Sequence, residues 1–399
     1  MAISLAQTGC HAPRNGGPIA VSLIGGQSDR LVRESATEEG LVRLDREGQV
    51  VPGSAARWAI LDDGLDYIFR IDDAAGLSAA TVARRLRDAL RRERRNPDFA
   101  AMAPVETIQA VTNTVVEMRL SVPQPDLLPL LARPELAVGA PAPLRAGKTR
   151  ADGVMLEPRP GEESASILLR AERAGRAVAR FQAGEAQLVL GGTFADLPVA
   201  RAAQLPRRTL RFDPASGLFG FAIRDASLPA EVRTALSLAI DRDRVIALVG
   251  APAQAKATTI AGSTIEPPLD QRRATARALL AGKQVRVRIA MPRGPGASLL
   301  FALVARDWAE VGIAADLVPA DARDADLVLV DRVAPAGTLA TLACALSTGC
   351  DPRDRLQLIN PPFIPVATPI RWSLVAPALD LVTDNALAAH PLDQLRSVH

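Results

Sequence analysis

Few residues of this 399-residue chain could carry chemistry beyond charge pairing: three histidines, three cysteines and one Gly-Lys-Thr triplet. His11, His390 and His399 all lie close to the chain ends, so a serine–histidine relay or a histidine–metal site has little to draw on. Gly147-Lys148-Thr149 has the close of a phosphate-binding loop, but Ala142 stands where that loop needs its first glycine. The carboxylate pairs Asp62-Asp63 and Glu38-Glu39 fall in turn-like sequence, where they read as exposed acids. Cys344 and Cys350 enclose the short loop Ala-Leu-Ser-Thr-Gly. That loop is flexible enough for a disulfide worth roughly 2 kcal/mol. Two free thiols are the alternative, and a metal would lack a third ligand nearby. Cys10 follows Leu5-Ala6-Gln7-Thr8-Gly9, small residues similar to the tail of a bacterial lipoprotein signal, which makes it a candidate lipid anchor. Gln7 departs from that pattern, and either a true start lies upstream or the likeness is accidental. This inventory points away from hydrolase or transferase chemistry and from any bound cofactor.

The elements that would position a site are those of a soluble globular protein. Hydrophobic residues make up 48% and charged residues 23%, and the length suggests two or three domains. The net charge of +3 is no argument for nucleic acid. The basic residues are nearly all arginine, with lysine only at 148, 256 and 283, and aromatics are too sparse at 3% for base-stacking platforms. The run Arg84–Arg95 reads as the solvated face of a helix. Residues 1–17 read as a flexible leader, and Pro18–Ile24 as a buried strand stopped by Gly25-Gly26. Strands at 57–61 and 66–71 flank Asp62-Asp63-Gly64, where Asp-Gly suggests a two-residue hairpin turn. Ser78 is a helix N-cap with an apolar stripe at Val82, Leu86, Ala89 and Leu90 behind it, and Asn96-Pro97 ends that helix. A strand at 114–120 precedes a proline-rich passage, 123–143. Further on, a strand at 285–289, an amphipathic helix at 299–311, a strand at 313–318 and a buried strand at 325–331 alternate as in an α/β domain.

Four segments in order carry a resemblance. The first is Leu44 to Trp58, with Gly48-Gln49-Val50-Val51-Pro52, followed by the Asp62-Asp63-Gly64 turn and the aromatic strand Asp66–Arg70. The second is Ala177 to Leu190, with Gly184-Glu185-Ala186-Gln187-Leu188-Val189. The third and most specific is Val232-Arg233-Thr234-Ala235-Leu236-Ser237-Leu238-Ala239-Ile240-Asp241-Arg242, a helix pair in which Asp243 is placed to cap the second helix. The tail, Pro365–Ala376 with Asn385–Leu395, is the fourth. Together they are similar to extracellular solute-binding protein family 5, whose members serve ABC transporters for oligopeptides, dipeptides and nickel. The chain departs from the family where a Phe-His-Asp-Gly loop is usual, where Gln187 replaces an aspartate, and in its shorter length.

The resemblance implies an α/β, two-lobed periplasmic binding protein fold of class II type, with an additional small domain in the first lobe. On that basis residues 18–43, 147–205 and 356–399 form lobe 1, 44–146 the small domain, and 206–355 lobe 2. It further implies a monomer in the periplasm that captures a small peptide or peptide-like solute and delivers it to permease subunits. The only membrane contact would come through Cys10, and no nucleic acid is expected. A sensor or scaffold of the same fold is the alternative. For ligand contacts, the resemblance points to Asp331 and Arg332 at a strand end, and to Arg371 and Trp372 in the returning tail. The Gly25-Gly26 loop after the first strand is a further candidate.

Overall fold

A computed structural model describes residues 17–25, 38–150, 152–252, 254–380 and 385–397. Two mixed sheets and one smaller antiparallel sheet organise the chain. In the first sheet the strands run Leu210–Asp213, Arg371–Val375, Leu188–Gly192, Ile19–Ile24, Ile167–Glu172, Gly153–Pro158 and Leu144–Arg150. All six residues of Ile19–Ile24 are buried, and this central strand pairs in parallel with both neighbours. A strand covered on both faces needs an apolar run rather than alternation, which is what Ile-Ala-Val-Ser-Leu-Ile supplies. The second sheet has the order Ile313–Pro319, Val285–Met291, Leu327–Val333, Gly217–Ile223 and Phe363–Ala367.

Two short connections join these sheets. The chain leaves the first at Asp213 and enters the second at Gly217, then returns from Ala367 to Arg371. The crossing points correct the expected domain limits. Strand Leu210–Asp213, assigned to lobe 2, belongs to lobe 1, because it pairs with Arg371–Val375. Strand Phe363–Ala367, assigned to lobe 1, belongs to lobe 2, because it pairs with Gly217–Ile223. Strand Leu144–Arg150 likewise starts inside lobe 1 through its pairing with Gly153–Pro158. Sheet partners lie far apart in sequence, so composition carried no mark of these limits. Gly147-Lys148-Thr149 therefore lies in a sheet strand rather than in a loop opening a helix.

The small domain holds a four-stranded sheet and a core running from Leu41 to Val138. Its helix Ala79–Glu93 is capped by Ser78, whose hydroxyl accepts from the Thr81 N–H. Val82, Leu86 and Ala89 are buried, while arginines such as Arg84, Arg91 and Arg92 face solvent. Asp62-Asp63-Gly64 is not a two-residue turn. Leu61 pairs with Asp66, so four residues connect the strands, and Asp62, Asp63 and Gly64 all take positive φ.

In lobe 2 the helices Ala230–Ala239 and Arg242–Val249 meet at Asp241, whose side chain accepts from the Arg244 N–H. Asp241, not Asp243, is the cap, because only the residue preceding the first turn can reach its free amides. Arg242 is only 1% exposed. It donates to the Ser237, Ala257 and Pro365 carbonyls and to Glu266 at 2.9–3.1 Å, tying the helix pair to strand Phe363–Ala367. Cys344 and Cys350 form a disulfide at the end of the helix Leu339–Leu346. No helix among the described residues is long and apolar enough to cross a membrane.

Candidate functional site

A cleft of about 760 Å³ opens between the lobes, lined at its floor by Asp213 and Arg371, the first-sheet residues where the two connections begin and end. This volume suits a small-molecule or short-peptide ligand. Its walls come from the end of strand Ile19–Ile24, the segment Glu38–Leu44, the turns after Leu188–Gly192, the strand Leu327–Val333 and the tail Leu387–Asp393. At the floor, Arg371 of lobe 1 reaches Asp331 of lobe 2. Its Nη1 donates to the Asp331 carboxylate at 2.8 Å and its Nη2 to the Asp331 carbonyl at 3.2 Å. Burial pushes the Asp331 carboxyl pKa up, while the Arg371 charge and hydrogen bond oppose that shift. The pair thus spans the hinge, and Asp331 already has a protein cation as partner.

Gly217 makes this close passage of strands possible. Its φ is +155°, and a side chain there would meet the Arg332 carbonyl at 2.0 Å. Arg332 turns the other way, donating to Asp98 of the small domain at 3.0 Å, and Arg133 approaches the same carboxylate at 3.5 Å. Lobe 2 and the small domain are therefore linked by one shared acid.

Trp372 belongs to the cleft wall but presents almost no surface to it. It is fully buried, and its indole N–H donates to the Thr193 carbonyl at 2.8 Å. Gly192 admits the ring, since a Cβ there would lie 2.2 Å from it. Trp372 instead backs the cleft and belongs to a core shared by both lobes. In that core Phe194 of lobe 1 meets Phe219 of lobe 2 edge-on, with ring centroids 4.8 Å apart. Gly25 lies at the cleft rim with φ +103°. Gly26 and Cys10 lie outside the described residues.

Three cleft residues escaped the sequence reading. His390 comes in with the tail, and its Nε2 lies 3.0 Å from Asp213. Nearness to the chain end said nothing of its place in space. The backbone of Glu39 bridges to Ala140, which draws its side chain to a half-buried position on the wall. Asp196 precedes the short helix Leu197–Ala202 but caps nothing with its side chain. Burial raises the carboxyl pKa of both Glu39 and Asp196. The only signal available for Asp196 was its place shortly after the apolar run Leu188-Val189-Leu190, since strand ends are where α/β folds place ligand contacts. Among the described residues no cluster of histidine, cysteine and carboxylate side chains is arranged to hold a metal ion.

No family model matches the sequence, and no curated protein matches it either. Solved structures do match in three dimensions. Haemophilus influenzae OppA in complex with the peptide RPPGFSPFR superposes with a TM-score of 0.75 at 14% identity, covering 96% of this chain and 99% of that one. The Escherichia coli murein tripeptide binding protein MppA gives 0.75 at 15% identity with the same coverage. AgaA from A. tumefaciens R10, in complex with agropinic acid, gives 0.75 at 17% identity over 96% of this chain and 99% of that one. With two sheets, two crossings, an intervening cleft and a small domain on the first lobe, the chain has the two-lobed periplasmic binding protein fold of these structures.

Proposed function

We propose that this protein is a solute-binding component of an ABC transporter, a member of extracellular solute-binding family 5. In this reading it captures a small peptide or peptide-like solute between its lobes in the periplasm and delivers it to permease subunits. The observation that carries the reading is the interlobe cleft, set between two lobes joined by two short connections and crossed by the Asp331–Arg371 pair. Such a hinge lets a ligand shift the balance between open and closed forms by binding both lobes at once. Structures of this fold in complex with a peptide and with agropinic acid support it. Catalytic turnover forms no part of the reading.

Native mass spectrometry of gently purified protein tests it. A co-purified solute that is lost on denaturation, with a smaller radius of gyration when solute is restored, is the expected result. A clean unliganded mass, together with no thermal shift from a peptide library, would count decisively against it.

A further inference from the structure

We infer that the cleft takes a cationic solute rich in N–H donors, an ammonium or guanidinium compound, and that Glu39, Asp196 and His390 help to receive it. The inference rests on the solute-binding reading above and specifies its ligand class.

Charge in the cleft opposes that of the whole molecule. Seven carboxylates and four guanidinium groups line it, whereas the chain as a whole carries +3. Pairing sharpens the contrast. Each of the four guanidinium groups already has a protein carboxylate within salt-bridge distance: Arg43 has Asp393, Arg133 and Arg332 have Asp98, and Arg371 has Asp331. Arg133 Nε has no partner of its own, but that group's charge is also shared with Glu135. A ligand carboxylate would therefore compete with existing ion pairs.

The groups left over are acceptors. Among the described residues, neither the Glu39 nor the Asp196 carboxylate has a hydrogen bond or an ion pair. Burial raises both pKa values, opposed at Glu39 only in part by the Arg43 charge and at Asp196 by nothing, a cost that a bound cation would relieve. His390 is the independent observation. Its side chain is 8% exposed, and its buried Nδ1 has no hydrogen-bond partner. Nε2 faces the Asp213 carboxylate, which can only accept, so Nε2 is the donor of that contact, and in the tautomer with its single proton there the Nδ1 lone pair is an acceptor. A buried acceptor left unmet is destabilising, and a ligand N–H would satisfy it. These three groups come from three separate segments, so a solute with several donors engages more of them than a single amine.

The test is calorimetric titration of the intact protein with Lys-Ala-Lys, Ala-Ala-Ala, Glu-Ala-Glu and the non-peptide cation spermidine, at low and high salt. Binding of Lys-Ala-Lys at least tenfold tighter than of Glu-Ala-Glu, weakening with salt, is expected. Asp196→Asn combined with Glu39→Gln should lower that preference about tenfold. His390→Gln, tested alone, should weaken the cation without strengthening the anion. Spermidine binding would assign recognition to charge, and its failure beside Lys-Ala-Lys binding would assign it to a cationic peptide. Equal or tighter binding of Glu-Ala-Glu, or a preference unchanged in the double variant, would overturn the inference while leaving solute binding intact. Silence from all four probes, with a clean unliganded mass, would overturn both.

Discussion

The two sides of the lobe junction are built from opposite materials. Behind the cleft, Phe194, Phe219 and Trp372 form one dry core continuous across both lobes, and the helix Pro295–Ala309 begins hard against Phe194 and Ala195. In front, the lobes face each other through Asp331–Arg371 and Arg332–Asp98, with unpaired acids between them. Apolar burial is non-directional and excludes water, so the rear contact resists separation. Arg332, half-exposed in its pair, exchanges readily with water, whereas the largely buried Asp331–Arg371 pair must be desolvated to form and so adds less than its attraction alone would. A junction that is apolar at the back and ionic at the front has a natural axis of opening, and it leaves charge where a ligand arrives.

The sharpest way to break this contrast is Trp372→Ala. It removes a fully buried ring and leaves the Thr193 carbonyl unpaired, so urea denaturation should show a loss of about 3–5 kcal/mol. An effect under 1 kcal/mol would mean that the rear core does not hold the lobes.

Next comes Arg371→Ala, which strands a buried carboxylate at the hinge. A loss of about 2–3 kcal/mol is expected at pH 7, less than for a fully buried pair because both partners retain some exposure. The sign with pH is definite. Removing the cation raises the Asp331 pKa further above its ordinary 3.8. The folded variant then binds a proton more readily than the unfolded chain, and the deficit shrinks as pH falls through the folded value. A deficit that grows on acidification would show that Asp331 is not the stranded group.

Gly296→Ala probes the rear contact more gently. An added Cβ would sit 2.0 Å from the Phe194 carbonyl, and relaxing that clash should cost about 1–3 kcal/mol and widen the molecule in solution scattering. Asp98→Asn, at the front, should cost under about 1 kcal/mol yet shift the scattering profile towards the open form.

Smallest is Asp196→Asn, which is expected to stabilise. Burial alone raises the Asp196 pKa above 3.8, so the ionised side chain opposes folding at pH 7. The variant should melt higher than the parent at pH 7. That advantage should vanish as pH falls through the folded pKa towards the unfolded one, where the parent also carries a proton. A variant less stable at pH 7 would show that Asp196 has a stabilising partner.

Much of the local structure was legible because local rules dominate it. The apolar run of Ile19–Ile24, the Ser78 cap and the buried stripe at Val82, Leu86 and Ala89 all formed as expected. The Asp62-Asp63-Gly64 turn was misjudged, since turn type depends on the register of the flanking strands. Asp331, Arg332 and Arg371 do line the cleft, but each is held by another protein group. Glu39, set aside as an exposed acid, and His390, set aside as terminal, line it too. Residue type and chain position could not reveal which groups are left without a partner.

By itself, the sequence determined the kinds of elements, their order and the absence of a histidine-rich catalytic inventory, because periodicity and composition act over a few residues. Tertiary structure alone decided where the chain crosses between lobes, that Trp372 is core, and that Asp213 and His390 meet across 177 positions. Such pairings depend on which strands lie side by side, and strand neighbours are chosen by global packing rather than by the residues next to them in the chain.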